Sequence, residues 1–174
     1  LGSKVLQIRS VEFASKYHVP LRVLSSMIEN PEGTLITSEE NIMEKAIISG
    51  IAHNQDEAKL SVIGVPDKPG IAFQILKPIS DANIEIDMIV QSVSAREGLT
   101  NFAFTVHRND YDKALNILEN ICKKLNAIGV QSDDKVVKVS LVGIGMRSHA
   151  GIAAKMFEVL HNENINIEMI STSE

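Results

Sequence analysis

Apolar positions along this 174-residue chain follow two spacings, one of period two and one helical, and the two alternate. Residues 60–65 form a short apolar run, read as a strand. Pro66-Asp67-Lys68-Pro69-Gly70 follows as a turn, in which two prolines fix φ and glycine frees the backbone. Ile71, Ile75, Leu76 and Ile79 then recur at helical spacing, with Pro78 expected to kink that helix or end it early. Ile84, Ile86, Met88 and Val90 alternate with Glu85, Asp87, Ile89 and Gln91, which predicts a second strand. Ala95-Arg96-Glu97-Gly98 reads as a hairpin turn, and residues 100–107 as a third strand with Phe102, Phe104 and Val106 on one face. The next helix is capped by Asn109 or Asp110, buries Ala114, Leu115, Leu118, Ile121, Cys122 and Leu125, and stops at Gly129. A short strand near Val130 follows.

This is a βαββαβ order, the ferredoxin-like plan of an α+β fold. Much of it occurs twice. Val62-Ile63-Gly64-Val65, Pro69-Gly70-Ile71-Ala72 and Asn83-Ile84-Glu85-Ile86-Asp87-Met88-Ile89 match Leu141-Val142-Gly143-Ile144, Ala150-Gly151-Ile152-Ala153 and Asn164-Ile165-Asn166-Ile167-Glu168-Met169-Ile170. The offset is 81 residues from Gly70 onward and 79 before it, so the second copy has the longer loop. The second copy begins with a strand over 136–144. A helix from about His149 to Asn162 comes next, with Ile152, Met156, Phe157 and Leu160 apolar, and then a strand over 165–170. Ala46-Ile47-Ile48-Ser49-Gly50-Ile51-Ala52 is a strand-like run that the first copy does not use. It is expected to pair into the second copy's sheet, which makes the first copy an insertion in the second.

Residues 1–40 differ: a helix up to Tyr17, a short strand over 20–24 and a turn at Asn30-Pro31-Glu32-Gly33 suggest the tail of a separate domain. Both chain ends, at Leu1 and at Ser171-Thr172-Ser173-Glu174, read as cuts through a longer chain. The expected boundaries are 1–40 for this tail, 41–58 for a linker with its strand, 59–134 for the first unit and 135–174 for a truncated second unit.

Composition narrows the function. The hydrophobic fraction of 44% is ample for a core, which must be aliphatic because there is no Trp and only 4% aromatic residues. The net charge of -5 is spread along the chain, without a basic block or stacking aromatics, which argues against nucleic acid as a partner. No run approaches the roughly 18 apolar residues of a membrane helix, and the start Leu1-Gly2-Ser3-Lys4 does not read as a signal peptide. The single Cys122 cannot form an intramolecular disulfide and fits a reducing, cytoplasmic compartment. No Cys/His spacing suits a metal, and no catalytic constellation stands out. Arg147-Ser148-His149 either lines a ligand site or holds the longer loop of the second copy.

The turns at Pro69-Gly70 and Ala150-Gly151 open helices, whose free N–H groups suit a carboxylate. Neither turn has the glycine spacing of a nucleotide-binding loop. For a free amino acid, Asp67 offers an acceptor to the ammonium, the N–H groups over 70–72 hold the carboxylate, and Gln91 meets the side chain. Asp87 and Glu168, at matching positions, are either functional or exposed strand carboxylates.

These residues carry a family resemblance. Lys4-Val5-Leu6-Gln7-Ile8-Arg9-Ser10-Val11-Glu12-Phe13-Ala14 resembles the last helix of an aspartate kinase catalytic domain. Val19-Pro20-Leu21-Arg22-Val23 with Gly33-Thr34-Leu35-Ile36 resembles its closing strand. Residues 60–91 are similar to the family's first ACT domain. Lys138 to Gly143, Met146-Arg147-Ser148-His149-Ala150-Gly151 and residues 166–174 are similar to its second. Met43-Glu44-Lys45-Ala46 resembles the internal start that gives a separate regulatory subunit in some members.

The resemblance implies ferredoxin-like ACT domains in tandem, giving feedback inhibition by threonine and/or lysine. It implies homodimerisation through the ACT domains and coupling to a kinase catalytic domain or subunit. The full enzyme phosphorylates L-aspartate with ATP and Mg; this chain is expected to carry neither catalytic residues nor a cofactor. By position, the effector site takes Asp67, Gly70, Ile71, Ala72 and Gln91 from the first unit, with Asn166 and Ile167 from the second unit of a partner chain. A second effector region takes Met146, Arg147, Ser148, His149, Ser173 and Glu174, and Lys4 with Val5 is a remnant of a nucleotide-contacting pair. A ligand-free assembly module is the competing function.

Overall fold

The computed structural model describes residues 5–29, 32–37, 48–94, 96–143 and 151–172. By internal contacts the chain forms two units, Leu1–Ala52 with Ser140–Val159, and His53–Val139 with Leu160–Glu174.

The second of these holds the core. Its four-stranded sheet has the order β4-β5-β3-β6, built from β3 (Gly50–Pro66), β4 (Ile86–Val93), β5 (Leu99–His107) and β6 (Gly129–Val142). Helices α2 (Ile71–Asp81) and α3 (Tyr111–Leu125) complete it. Alternation explains β5: Phe102, Phe104 and Val106 point one way and are buried, as their spacing predicts. β3 runs antiparallel beside it, with Leu60 opposite Phe104 and Val62 opposite Phe102. Ile71, Ile75 and Ile79 of α2 and Ala114, Leu118, Ile121 and Cys122 of α3 join these strands in one apolar cluster. Each fully buried aliphatic or phenyl side chain contributes about 1.5–3 kcal/mol.

β3 carries a bulge between Val62 and Val65. Gly64 sits there with φ +65, and its N–H donates to Asn101 Oδ1 at 2.9 Å. Glycine is required for space as well as for φ, because a Cβ would lie 2.6 Å from Ile128 Cγ1. The Ile128 N–H donates to the Ile63 carbonyl at 2.9 Å, beside that bulge.

Several boundaries differ from expectation. β3 spans 17 residues, starting well before Leu60, and β6 is continuous over 14 residues where two separate strands were expected. Ladder bonds are made by the backbone, so polar residues such as Gln131 to Lys135 continue a strand with their side chains in water. Pro78 lies inside α2 without ending it before Asp81. α3 ends at Asn126, in the left-handed region with φ 53, and not at Gly129. Its Ala127 N–H reaches back to the Cys122 carbonyl at 3.0 Å, so the stop is complete before the glycine. Asp110 precedes α3 as expected, with no side-chain capping bond; a short 3-10 turn, Arg108–Asp110, leads in instead. The expected strand over 165–170 is not a strand. A strand needs ladder partners, and among the described residues this segment belongs to no sheet.

In the other unit, α1 (Ile8–Lys16) buries none of its residues, and β1 (Leu21–Val23) pairs antiparallel with β2 (Thr34–Ile36). Its segments are distant in sequence, and the Ser49 N–H donates to the Val142 carbonyl at 2.7 Å. Helix α4 (Ile152–Asn162) begins in this unit and ends in the other.

The duplication is visible in the backbone. Gly70 and Gly151 are both left-handed, with φ 89 and 97, and each accepts the first helical bond, from Gln74 N–H at 3.0 Å and Lys155 N–H at 2.8 Å. Asn83 and Asn164 are both left-handed, with φ 59 and 57. Each helix then closes with a six-residue reverse bond, Ile84 N–H to Ile79 at 3.3 Å and Ile165 N–H to Leu160 at 2.8 Å.

Candidate effector site

The first part of the site is the turn from β3 into α2. The Asp67 N–H donates to the Gly98 carbonyl at 2.9 Å, tying this turn to the β4–β5 hairpin. Gly70 precedes α2 with no side-chain cap, and the first turn holds no acidic residue. The helix therefore presents unneutralised N–H groups and a partial positive charge at this end. Asp67 and Gly70 are exposed and Ala72 is half-buried. Ile71 is 3% exposed, so only its backbone can face a ligand, and its N–H makes a long 3.4 Å bond to the Lys68 carbonyl. Gln91 is exposed on β4, opposite Phe102 of β5. Ala95, in the same hairpin, lies outside the described residues.

The second part centres on Asn166. Its Nδ2 donates to Glu168 Oε1 at 2.8 Å. Glu168 Oε2 accepts from Lys59 Nζ at 2.9 Å, and the same ammonium donates to the Glu168 carbonyl at 3.1 Å. The hydrogen bond and charge of Lys59, then the Asn166 hydrogen bond, hold the Glu168 carboxyl below its usual range, against weaker opposition from burial and Asp133. Ile167, beside them, is 38% exposed.

The chain does not bring the two parts together by itself. Lys59 pairs with Thr105, whereas Pro66, next to Asp67, pairs with Leu99 at the other end of the ladder. The seven residue steps between them span on the order of 20 Å.

Asp87 and Glu168, the matched carboxylates, are both ion-paired, Asp87 with Lys138 and Glu168 with Lys59. The two lysines themselves sit at matched positions, 79 residues apart. Each therefore reaches the carboxylate of the opposite copy. Sequence reasoning missed both lysines, although the repeat offset aligns them.

Met146, Arg147, Ser148, His149, Ser173, Glu174 and Lys4 lie outside the described residues, as do Asn30-Pro31 and Met43-Glu44-Lys45-Ala46. Val5 is 73% exposed. Among the described residues no group of three His, Cys, Asp or Glu side chains is placed to hold a metal ion, and no helix is long and apolar enough to cross a membrane. Cys122 is buried, which pushes its thiol pKa up.

Comparison with known proteins agrees with the duplicated architecture. ACT-domain profiles match residues 60–123 and 139–174. An aspartate kinase of Pseudomonas fluorescens (strain SBW25) is 66% identical over 175 residues, covering 100% of this chain and 42% of that protein. The chain thus spans well under half the length of the curated relatives it matches. Among solved structures, aspartokinase alpha and beta subunits share 52% identity over 72% of this chain and 82% of that one, with a TM-score of 0.64. The ligand-free regulatory subunit of aspartate kinase from Thermus thermophilus shares 35% identity over 74% and 84% of the two chains, with a TM-score of 0.66. The chain belongs to the aspartate kinase family and corresponds to its tandem ACT regulatory region.

Proposed function

We propose that this region senses a free amino acid, threonine and/or lysine, and transmits its presence to an aspartate kinase as feedback inhibition. The observation that carries this reading is the helix start at Gly70: left-handed, uncapped by any side chain and free of acidic residues in its first turn. Such an end receives a carboxylate directly. Asp67 takes the ammonium, and Gln91 meets the side chain; threonine suits the single Gln91 amide.

Asn166 and Ile167 complete the pocket from a partner chain. Their separation from the Asp67 turn along β3 supports this, because one chain cannot close the pocket alone. Homodimerisation through the ACT sheets supplies the second chain. β4 is an edge strand, and Val93 on it is 88% exposed. The effector acts through its differential affinity for two arrangements of that dimer, typically worth 1–3 kcal/mol. Residues 146–149 with 173–174 form a second effector region.

The first ACT unit is inserted in the second. The Ser49–Val142 bond and the sequence-discontinuous unit around it support this. Residues 1–40 are the tail of the kinase catalytic domain, in keeping with the exposed Val5, Ile8 and Phe13 of a helix that buries nothing. The whole enzyme transfers phosphate from ATP, with Mg, to the side-chain carboxylate of L-aspartate in the cytoplasm, forming 4-phospho-L-aspartate. Of the nucleotide-contacting pair only Val5 is described, so no step of that reaction is assigned to this chain.

Thermal melting with each of the twenty amino acids at millimolar concentration tests the sensing function. A ligand at 100 times its Kd adds about 2.7 kcal/mol. A selective rise with threonine or lysine, lost in Asp67→Ala, is the expected result. No rise with any amino acid favours a ligand-free assembly module, for which the open β4 edge is the supporting feature.

A further inference from the structure

The Asn166 carboxamide has a fixed sense. Its Nδ2 faces Glu168 Oε1 at 2.8 Å, and an ionised carboxylate only accepts hydrogen bonds. The NH2 group must therefore point at Glu168, which leaves Asn166 Oδ1 as a free-facing acceptor. Glu168 in turn is fixed by Lys59, which holds both the carboxylate Oε2 and the main-chain carbonyl of the same residue. Two bonds from one ammonium to one residue define the local backbone as well as the side chain. This matters because residues 163–172 have no ladder bonds to hold them. Lys59 is anchored in β3, its backbone opposite Thr105 of β5, so the reference point is the rigid sheet.

We propose that Lys59 and Glu168 are positioning residues of the effector site, a relay that orients Asn166 so that its Oδ1 accepts from the ammonium group of the bound amino acid. The relay rests on the sensing function above and deepens it. Neither Lys59 nor Glu168 touches the ligand. The matched pair, Lys138 with Asp87, has no such role: the residue equivalent to Asn166 in the first copy is Glu85, which has no amide to orient.

The test is made on the 174-residue chain with two readouts. The side-chain amide resonances of Asn166, assigned by their loss in Asn166→Ala, report orientation without any ligand. Calorimetric titration with threonine and with lysine reports affinity. Lys59→Met and Glu168→Gln should shift the Asn166 amide resonances and weaken amino-acid binding about tenfold or more, with the amide shifts of the helical core unchanged. Lys59→Arg should retain the resonances and the affinity within about twofold. Lys138→Met should leave Asn166 unmoved, which separates positioning from a general loss of ion pairs. Unchanged Asn166 resonances in both Lys59→Met and Glu168→Gln overturn the relay. Shifted resonances with undiminished affinity overturn its role in binding. If the resonances shift but the unmodified chain binds neither amino acid, the orientation of Asn166 stands and the sensing function falls.

Discussion

Lys59 and Glu168 are separated by 109 positions in sequence, yet Lys59 Nζ lies 2.9 Å from Glu168 Oε2. Their counterparts in the duplicated pattern, Lys138 and Asp87, pair in the reverse sense. Lysine of the first copy meets carboxylate of the second, and lysine of the second meets carboxylate of the first. An exchanged arrangement of this kind links β3 of the first copy to the unladdered 165–170 segment of the second, and β6 to β4.

The Lys59–Glu168 pair makes stability depend on acid pH. The folded-state pKa of Glu168 is depressed, so its contribution is complete above the ordinary glutamate value of about 4.3 and fades as pH falls through the lower folded value. Glu168→Gln should melt below the unmodified chain at neutral pH, and the two melting temperatures should converge under acid conditions. The difference should be small, since the Glu168 side chain is 46% exposed and screened by solvent. A gap that widens as pH falls contradicts the assigned direction.

Gly64 and Gly70 are both left-handed, for different reasons, and alanine should separate them. At Gly70 a Cβ meets nothing within 4 Å, so Gly70→Ala carries only the backbone cost of about 1–2 kcal/mol. At Gly64 the same backbone cost is joined by collision with Ile128. Denaturant unfolding should therefore rank Gly64→Ala as distinctly the more damaging. Equal losses would show that Ile128 moves aside freely.

Leu118 is fully buried between α3 and the sheet. Leu118→Ala should cost about 2–5 kcal/mol by removing its transfer free energy and leaving a cavity. Phe73→Ala, on the outer side of α2 at 66% exposure, should cost much less. Urea melts of the two variants, compared at equal slope, check this ranking.

Val93 and Ile89 lie on the open edge strand at 88% and 49% exposure. Val93→Lys places a charge on that edge, a device that blocks strand-to-strand association. Light scattering should report a dimer for the unmodified chain and a monomer for the variant. A dimer that persists places the interface elsewhere.

The sequence located most of the first unit because its chemistry is local. Period-two burial at Phe102, Phe104 and Val106 and the isoleucine stripe of α2 matched, as did Ala114, Leu118, Ile121 and Cys122 of the α3 stripe, while Leu115 and Leu125 are only half-buried. Strand ends were less legible. β3 and β6 continue through polar residues, and hydrophobic spacing carries no record of backbone pairing. The stop at Asn126 was overlooked because asparagine tolerates the left-handed region less obviously than glycine does.

The sequence by itself determined the duplication and its offsets, which are properties of spacing, and residue type singled out Asp67, Gly70 and Gln91 as candidates, whereas Asn166 became one only through the family resemblance. Tertiary structure alone decided that the second copy's 165–170 segment is unladdered, that Asn166 connects through Glu168 to Lys59 in the middle of β3 while Asp67 lies just past its Pro66 end, and that Lys59 belongs to Glu168. Those facts depend on which edges find partners and on contacts between residues far apart in the chain. A pattern of neighbouring residues does not contain that information.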